Sequence, residues 1–234
     1  MFNYFFILGL CLTINLFSLD KLIVGIAGGS GSGKTTLAQK IQNALPTHSV
    51  LISQDNYYKD LSHMPQSERE KVNFDHPDSL DFVLLKKHLK DLQENKPIQK
   101  PTYNYLTHVR EPFFELVKPV QLVIVEGILI FAVPEIRDLF DIKIFIDTDE
   151  DIRLLRRLER DIQHRGRDFS SLKDQYLSTV KPMHDAFVKP SKQYADIIVP
   201  KGGENSTALN LIISRLKEEL DLKLDLQEAT AMTD

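Results

Sequence analysis

Along this chain, short runs of consecutive apolar residues alternate with longer stretches in which apolar positions recur every three or four residues. The runs are Leu22–Ala27, Val50–Ser53, Leu122–Glu126, Ile142–Asp147 and Ile197–Pro200, and they are enriched in β-branched residues. Because they do not alternate apolar with polar, they predict strands buried on both faces. The helical patterns between them cover Lys34–Leu45, Leu80–Asn95, Glu150–Arg165, Ser170–Val180 and Asn205–Leu220. Strand-helix alternation of this kind predicts an α/β fold, a parallel sheet of five strands with helices on both faces. Residues Lys100–Lys118 break the rhythm, being aromatic, β-branched and punctuated by Pro101, Pro112 and Pro119. They read as a small β-ribbon insertion beside the cleft.

The two ends stand apart from this pattern. Tyr4–Leu19 is mostly apolar and carries no charge. It is shorter than the roughly 20 apolar residues of a spanning helix, is weakened by Asn15 and Ser18, and lacks the basic start and small-residue cleavage site of a signal peptide. Residues 1–19 are therefore expected to be an N-terminal extension, with a membrane anchor as the alternative. One domain is expected over 20–222, and the acidic, Thr-containing stretch 223–234 is expected to be a flexible tail.

Composition narrows the class. The 234 residues are 42% hydrophobic and 26% charged, which suits one globular core. A net charge of -4 gives no overall cationic field, so nucleic acid is not an expected partner. The single cysteine, Cys11, excludes an intrachain disulfide and a cysteine zinc cluster, and fits a cytoplasmic location.

The first predicted strand runs directly into Gly28-Gly29-Ser30-Gly31-Ser32-Gly33-Lys34-Thr35-Thr36, the full G-x-x-x-x-G-K-[ST] phosphate loop. Glycine is required because the backbone must curl around phosphate oxygens in dihedrals that side chains obstruct. The following helix adds its N-terminal dipole, Lys34 reaches the β- and γ-phosphates, and the Thr35 hydroxyl is placed for Mg²⁺. No D-x-x-G and no guanine-reading N/T-K-x-D occurs, which argues against a signalling GTPase.

Carboxylates follow two further strands. Asp55 lies at the carboxyl edge of the second, where it can accept a proton from an attacking hydroxyl or, alternatively, serve as a helix cap or Asx turn. Glu126 ends the third and is the better candidate for the magnesium shell, a structural cap being the alternative. Arg153, Arg156, Arg157 and Arg160 fall at helical spacing on one face, with Arg165 and Arg167 beyond. Beside a phosphate loop they read as a helical lid, hinged at Gly166, that clamps the transferring group, the alternative being a solvated face. Asp75 could take ribose hydroxyls, while Tyr103, Tyr105 and His108 could hold a base; each also has an ordinary structural account.

At these residues the chain resembles the uridine/cytidine kinase family. The resemblance runs from about Leu22 to Leu220 and is carried by Gly28–Thr36, Ser53-Gln54-Asp55, Asn73-Phe74-Asp75-His76-Pro77-Asp78, Glu126-Gly127-Ile128-Leu129, Asp147-Thr148-Asp149, Arg165-Gly166-Arg167 and Lys192–Pro200. It implies a P-loop kinase that uses ATP or GTP with Mg²⁺ to phosphorylate uridine or cytidine. By the resemblance Asp55 is the general base and, with Thr35 and Glu126, belongs to the metal's surroundings. Asp75, Tyr103, Tyr105, His108, Ile128, Arg157, Arg167 and Gln175 would contact the nucleoside. Arg160 and Arg165 would face phosphate with Lys34, and Glu204 would lie near the adenine. The resemblance also implies a homo-oligomer, often a tetramer. The Val109–Phe114 stretch departs from the family's more polar pattern, and residues 1–19 have no counterpart in it. Two other readings share the phosphate loop: a phosphoribulokinase or pantothenate kinase, and a membrane-tethered regulatory protein that binds nucleotide without transfer. The Tyr103/His108 ribbon speaks against the first and Asp55 against the second.

Overall fold

The structure is a computed structural model that describes residues 21–231, with side chains through residue 220. Residues 1–20 and 232–234, including the expected N-terminal extension, lie outside the described residues. Five parallel strands form the central sheet in the order β2-β5-β1-β6-β7: β1 (Leu22–Gly28), β2 (Ser49–Ser53), β5 (Leu122–Gly127), β6 (Ile142–Asp147) and β7 (Ile197–Pro200). Two more strands, β3 (Ile98–Asn104) and β4 (Val109–Val117), pair antiparallel as a separate ribbon. The main helices are α1 (Lys34–Ala44), α2 (Phe82–Gln93), α3 (Glu150–Arg165), α4 (Phe169–Gln175) and α5 (Ser206–Ala231).

The two-residue period of the strands sorts their side chains into two cores. Ile23 and Ala27 of β1, with Val123, Val125 and Phe145, pack beneath Leu85, Leu89, Phe131 and Phe140. Val24 and Ile26, with Ile124, Ile144 and Ile146, pack beneath Leu37 and Ile41 of α1 and Ile212 and Leu216 of α5. All of β1 is buried, which explains its unbroken apolar run. The strands being parallel, their carboxyl ends lie along one edge, and the site forms there.

Three boundaries differ from the sequence pattern. The second helix starts at Phe82 because Asp81 accepts a hydrogen bond from Leu84 N–H at 3.0 Å, while Leu80 forms a β-bridge with Tyr58. The helical path expected to stop at Val180 continues through Pro182 and Pro190 to Ser191. Wide π-type turns at Tyr176–Val180 and His184–Val188 precede the two prolines, absorbing the hydrogen bond that each cannot donate. At the end of the chain α5 continues past Leu220, so the stretch expected as a tail is helical up to Ala231.

Gly25, in the middle of β1, is where the core admits no side chain. A Cβ there would stand 2.7 Å and 2.8 Å from the Phe140 and Phe131 rings, which are already in edge contact at 5.7 Å between centroids. Gly25→Ala should therefore destabilise the domain by about 1–3 kcal/mol through overpacking. Thermal unfolding would record that as a fall of about 2–4 °C per kcal/mol for a domain of this size, and an unchanged midpoint would show that the ring pair can move aside.

Candidate active site

The phosphate loop is shaped by backbone that only glycine adopts without strain. Gly31 and Gly33 have φ of 78° and 94°. At Gly33 a Cβ would also meet Gly203 N at 2.6 Å, so the loop after β7 is packed directly against the start of α1. Ser30, Gly31, Gly33, Lys34, Thr35 and Thr36 line clefts, as expected. Gly28, Gly29 and Ser32 line neither of the two clefts that meet at Lys34. Gly28 ends the strand, Gly29 lies against the Arg153 guanidinium, and the Ser32 N–H is used on the Gly29 carbonyl at 3.0 Å.

Beside the loop, Glu126 at the end of β5 is 4% exposed. Its Oε1 accepts from Ser53 Oγ at 2.7 Å, and Lys34 Nζ lies 4.0 Å from Oε2, which has no hydrogen-bond partner. Burial pushes this carboxyl up, with Lys34 opposing. A buried carboxylate oxygen without a donor, facing a loop that carries the Thr35 hydroxyl, is an oxygen-ligand arrangement that fits Mg²⁺. Asp55 sits in the short 3₁₀ turn Gln54–Tyr57 after β2. The capping role belongs to Ser53, whose Oγ accepts from Asp55 N–H at 3.3 Å. The Asp55 carboxylate itself has no hydrogen bond or ion pair among the described residues and lines both clefts.

A cleft of about 520 Å³ opens on one side of these groups. It is lined by every residue assigned to the nucleoside in the sequence: Asp75, Tyr103, Tyr105, His108, Ile128, Arg157, Arg167 and Gln175. Tyr103 and His108 flank the ribbon turn, which is set by Asn104 Oδ1 accepting from Leu106 and Thr107 N–H at 2.9 and 3.2 Å. His108 takes a positive φ of 56° there. Its ring stacks on Phe74 with centroids 4.7 Å apart and planes 19° apart. Burial, with Arg167 adding to it, lowers the His108 pKa and so favours the neutral ring. The Tyr103 hydroxyl is buried without a partner. Asp75 is 8% exposed, and burial raises its carboxyl against the pull of Arg157, 4.0 Å away.

A second cleft, of about 800 Å³, lies on the other side and is lined by Gly31, Gly33, Lys34, Thr35 and Thr36 together with Arg156, Gly203 and Glu204. Glu204 pairs with Lys40 at 2.5 Å. Lys34, Asp55, Tyr105, Arg160 and Arg165 line both clefts and so mark where they meet.

The arginines divide in a way the helical spacing did not predict. Arg157, Arg160 and Arg165 face the clefts, and Arg165 lies over the Tyr105 ring at 4.7 Å. Arg153 does not join them: it is 7% exposed and turned behind the phosphate loop, donating to Thr148 O at 3.1 Å and meeting His184 Nε2 at 3.2 Å. The cause is position, since the first turn of α3 packs under the loop and a Cβ on Gly31 would meet Arg153 O at 2.3 Å. Gly166 ends α3 with φ of 62°, a left-handed C-cap with open space around it. Phe74, Tyr58 and Asp161, which the sequence pattern did not single out as site residues, also line the first cleft. Aromatic residues next to strands read as core, and an aspartate among arginines reads as an exposed helix pair.

Comparison with known proteins agrees with this geometry. Residues 23–208 match the Phosphoribulokinase / Uridine kinase family. The uridine kinase of Ligilactobacillus salivarius (strain UCC118) is 52% identical over 200 residues, covering 85% of this chain and 94% of that protein. That of Clostridium tetani (strain Massachusetts / E88) is 48% identical over 202 residues, covering 86% and 97%. Among solved structures, phosphoribulokinase from Rhodobacter spheroides superimposes with a TM-score of 0.61 at 15% identity, covering 78% of this chain and 70% of that one. A possible uridine kinase from Bacillus stearothermophilus gives 0.53 at 17% identity, covering 77% and 89%. These two likenesses concern the fold. With a phosphate loop, a cleft on either side of it and this degree of sequence identity, the chain belongs to the phosphoribulokinase/uridine kinase family.

Proposed function

We propose that this protein is a uridine/cytidine kinase, moving the γ-phosphoryl group of ATP or GTP to the 5′-hydroxyl of uridine or cytidine to give UMP or CMP in pyrimidine salvage. The observation that carries the reading is the junction of the two clefts, where the unpartnered Asp55 carboxylate lies among Lys34, Arg160 and Arg165. In the transfer, the 5′-oxygen bonds to the γ-phosphorus, the bond from that phosphorus to the bridging oxygen of the β-phosphate breaks, and the nucleoside diphosphate leaves. Asp55 takes the proton of the attacking hydroxyl. Lys34, Arg160 and Arg165 stabilise charge on the transferring group, and Tyr105 helps close water out of the junction. Thr35, Glu126 and Asp55 would hold Mg²⁺, which when bound supplies neutralising charge on the phosphate oxygens. The phosphate loop and the side of the second cleft that carries Glu204 hold the donor.

At the other end of the acceptor, Asp75 receives the ribose hydroxyls with Arg157 beside it. The Phe74–His108 stack, Tyr103, Ile128, Arg167 and Gln175 surround a single-ring base. A neutral His108 can accept from the exocyclic amine of cytidine. The ribbon supports a nucleoside over a sugar phosphate as acceptor, because flat aromatic surface suits a base.

These assignments have direct consequences. Asp55→Asn should leave nucleotide binding intact and lower kcat by about two to four decades, as for a lost general base; near-normal turnover in a steady-state assay would remove Asp55 from that role. Lys34→Ala should abolish transfer without unfolding, since it faces ligand and not core. Thymidine, lacking the 2′-hydroxyl, should lose a bond to Asp75 worth about 1–3 kcal/mol, one to two decades in kcat/KM. Adenosine should be a poor acceptor because the pocket is sized for one ring. A panel of uridine, cytidine, thymidine and adenosine with both donors, on wild type and Asp75→Ala, tests this; an unchanged ribose preference in Asp75→Ala would exclude the contact. A chain starting at Asp20 should be as active as the full chain, because the catalytic unit can be traced from the first strand at Leu22 onward, and loss of activity on truncation would contradict that.

A further inference from the structure

Asp161 of α3 meets Arg157, Arg160 and Arg165 together, and none of the roles above uses it. It is 2% exposed, yet it lies on a helix whose neighbours in sequence are mostly charged. Its Oδ1 accepts from Arg160 Nε at 2.8 Å and lies 3.4 Å from Arg165 Nη1, while its Oδ2 lies 3.5 Å from Arg157 Nε. Helical spacing makes this possible, because Arg157 and Arg165 stand one turn before and one turn after Asp161 on the same stripe. Its backbone is used as well: Asp161 O accepts the N–H groups of Gly166 and Arg167, at the turn where the chain leaves the helix.

The three arginines have different work. Arg157 reaches toward the acceptor site, donating to Gln175 Oε1 at 3.3 Å and lying 4.0 Å from Asp75 Oδ1. Arg160 and Arg165 line both clefts at the junction. Guanidiniums this close repel one another, and their long side chains have many rotamers; a shared anion fixes both problems at once. Burial works against a charge on Asp161, but the hydrogen bond and charge of Arg160, with Arg165 and Arg157, hold its carboxyl below the usual carboxylate range.

We propose that Asp161 is a positioning residue that couples the two ends of the site, one carboxylate aiming Arg157 at the nucleoside and Arg160 and Arg165 at the transferring phosphoryl group. Asp161 lines the first cleft and not the second, which the phosphate loop lines, so its removal should leave the phosphate loop alone. This rests on the kinase reading above, and the test separates the two: if the wild-type protein phosphorylates no pyrimidine nucleoside, the kinase reading fails, whatever Asp161 does.

Given wild-type turnover, Asp161→Asn should lower kcat about 10- to 100-fold and raise KM for uridine several-fold, with the Kd for ATP within about twofold of wild type. Rates are normalised to folded protein by circular dichroism. Asp161→Glu keeps the charge but shifts it by one methylene, and should recover part of the loss, leaving kcat about three- to tenfold below wild type. In an Arg160→Ala background, Asp161→Asn should cost much less in kcat than it does alone, because part of its effect runs through Arg160. A merely structural aspartate would lower the unfolding temperature while leaving kcat and KM per folded molecule unchanged, and that result overturns the proposal. So does full additivity with Arg160→Ala. Should Asp161→Asn not fold, Asp161→Glu carries the test, and a kcat within about twofold of wild type overturns it.

Discussion

A crowd of positive charge at the carboxyl edge of the sheet is the constraint on which this site depends. Lys34, Arg160 and Arg165 converge on the junction of the two clefts and Arg157 lines the first cleft beside them, so these like charges must be held apart from one another if they are to face a shared anion. Buried carboxylates do the holding: Glu126 lies 4.0 Å from Lys34, Asp75 lies 4.0 Å from Arg157, and Asp161 touches three arginines. Asp55 is left outside these pairs. A carboxylate locked in a salt bridge is a poor base, which is the physical ground for proposing the unpaired one as the proton acceptor.

The phosphate loop is not a self-contained motif in this fold. Thr148 Oγ1 donates to Ser32 O at 2.9 Å, Gly203 packs on Gly33, and Arg153 fills the space behind Gly29. The segments after β6 and β7 thus brace the segment after β1. That bracing comes from neighbouring parallel strands that end at the same edge, and it lets a loop rich in glycine stay ordered despite its backbone freedom.

The first cleft is walled differently, by a ribbon outside the main sheet. Arg69 donates to Thr107 O at 2.9 Å and Arg110 donates to Tyr58 O at 2.8 Å, so the ribbon turn is tied to the segments preceding α2. These ties put His108 on Phe74 and Tyr103 beside Tyr58. The scaffold is shared with phosphoribulokinase at low identity, and the aromatic ribbon is the feature that argues for a base.

The strand runs, the order of strands and helices, the phosphate loop and the carboxylates after β2 and β5 were legible in the sequence because each depends on local pattern. A buried parallel strand must be continuously apolar, a phosphate loop must be glycine-rich, and ligand-facing residues must follow strand ends. The resemblance added the nucleoside contacts, and the cleft brings all of them to one place. Tertiary structure alone decided the rest. Helical spacing put Arg153 with the lid arginines, but the packing of α3 on the loop turned it away; the same spacing hid Asp161, whose importance appears only once its neighbours are seen to enclose it. The helical pattern expected to end at Val180 runs on because wide turns carry the path past Pro182. In each case local periodicity says which residues share a face and is silent on what that face meets, and burial in the assembled fold then decides whether a charge is solvent-facing, structural or aimed at a substrate.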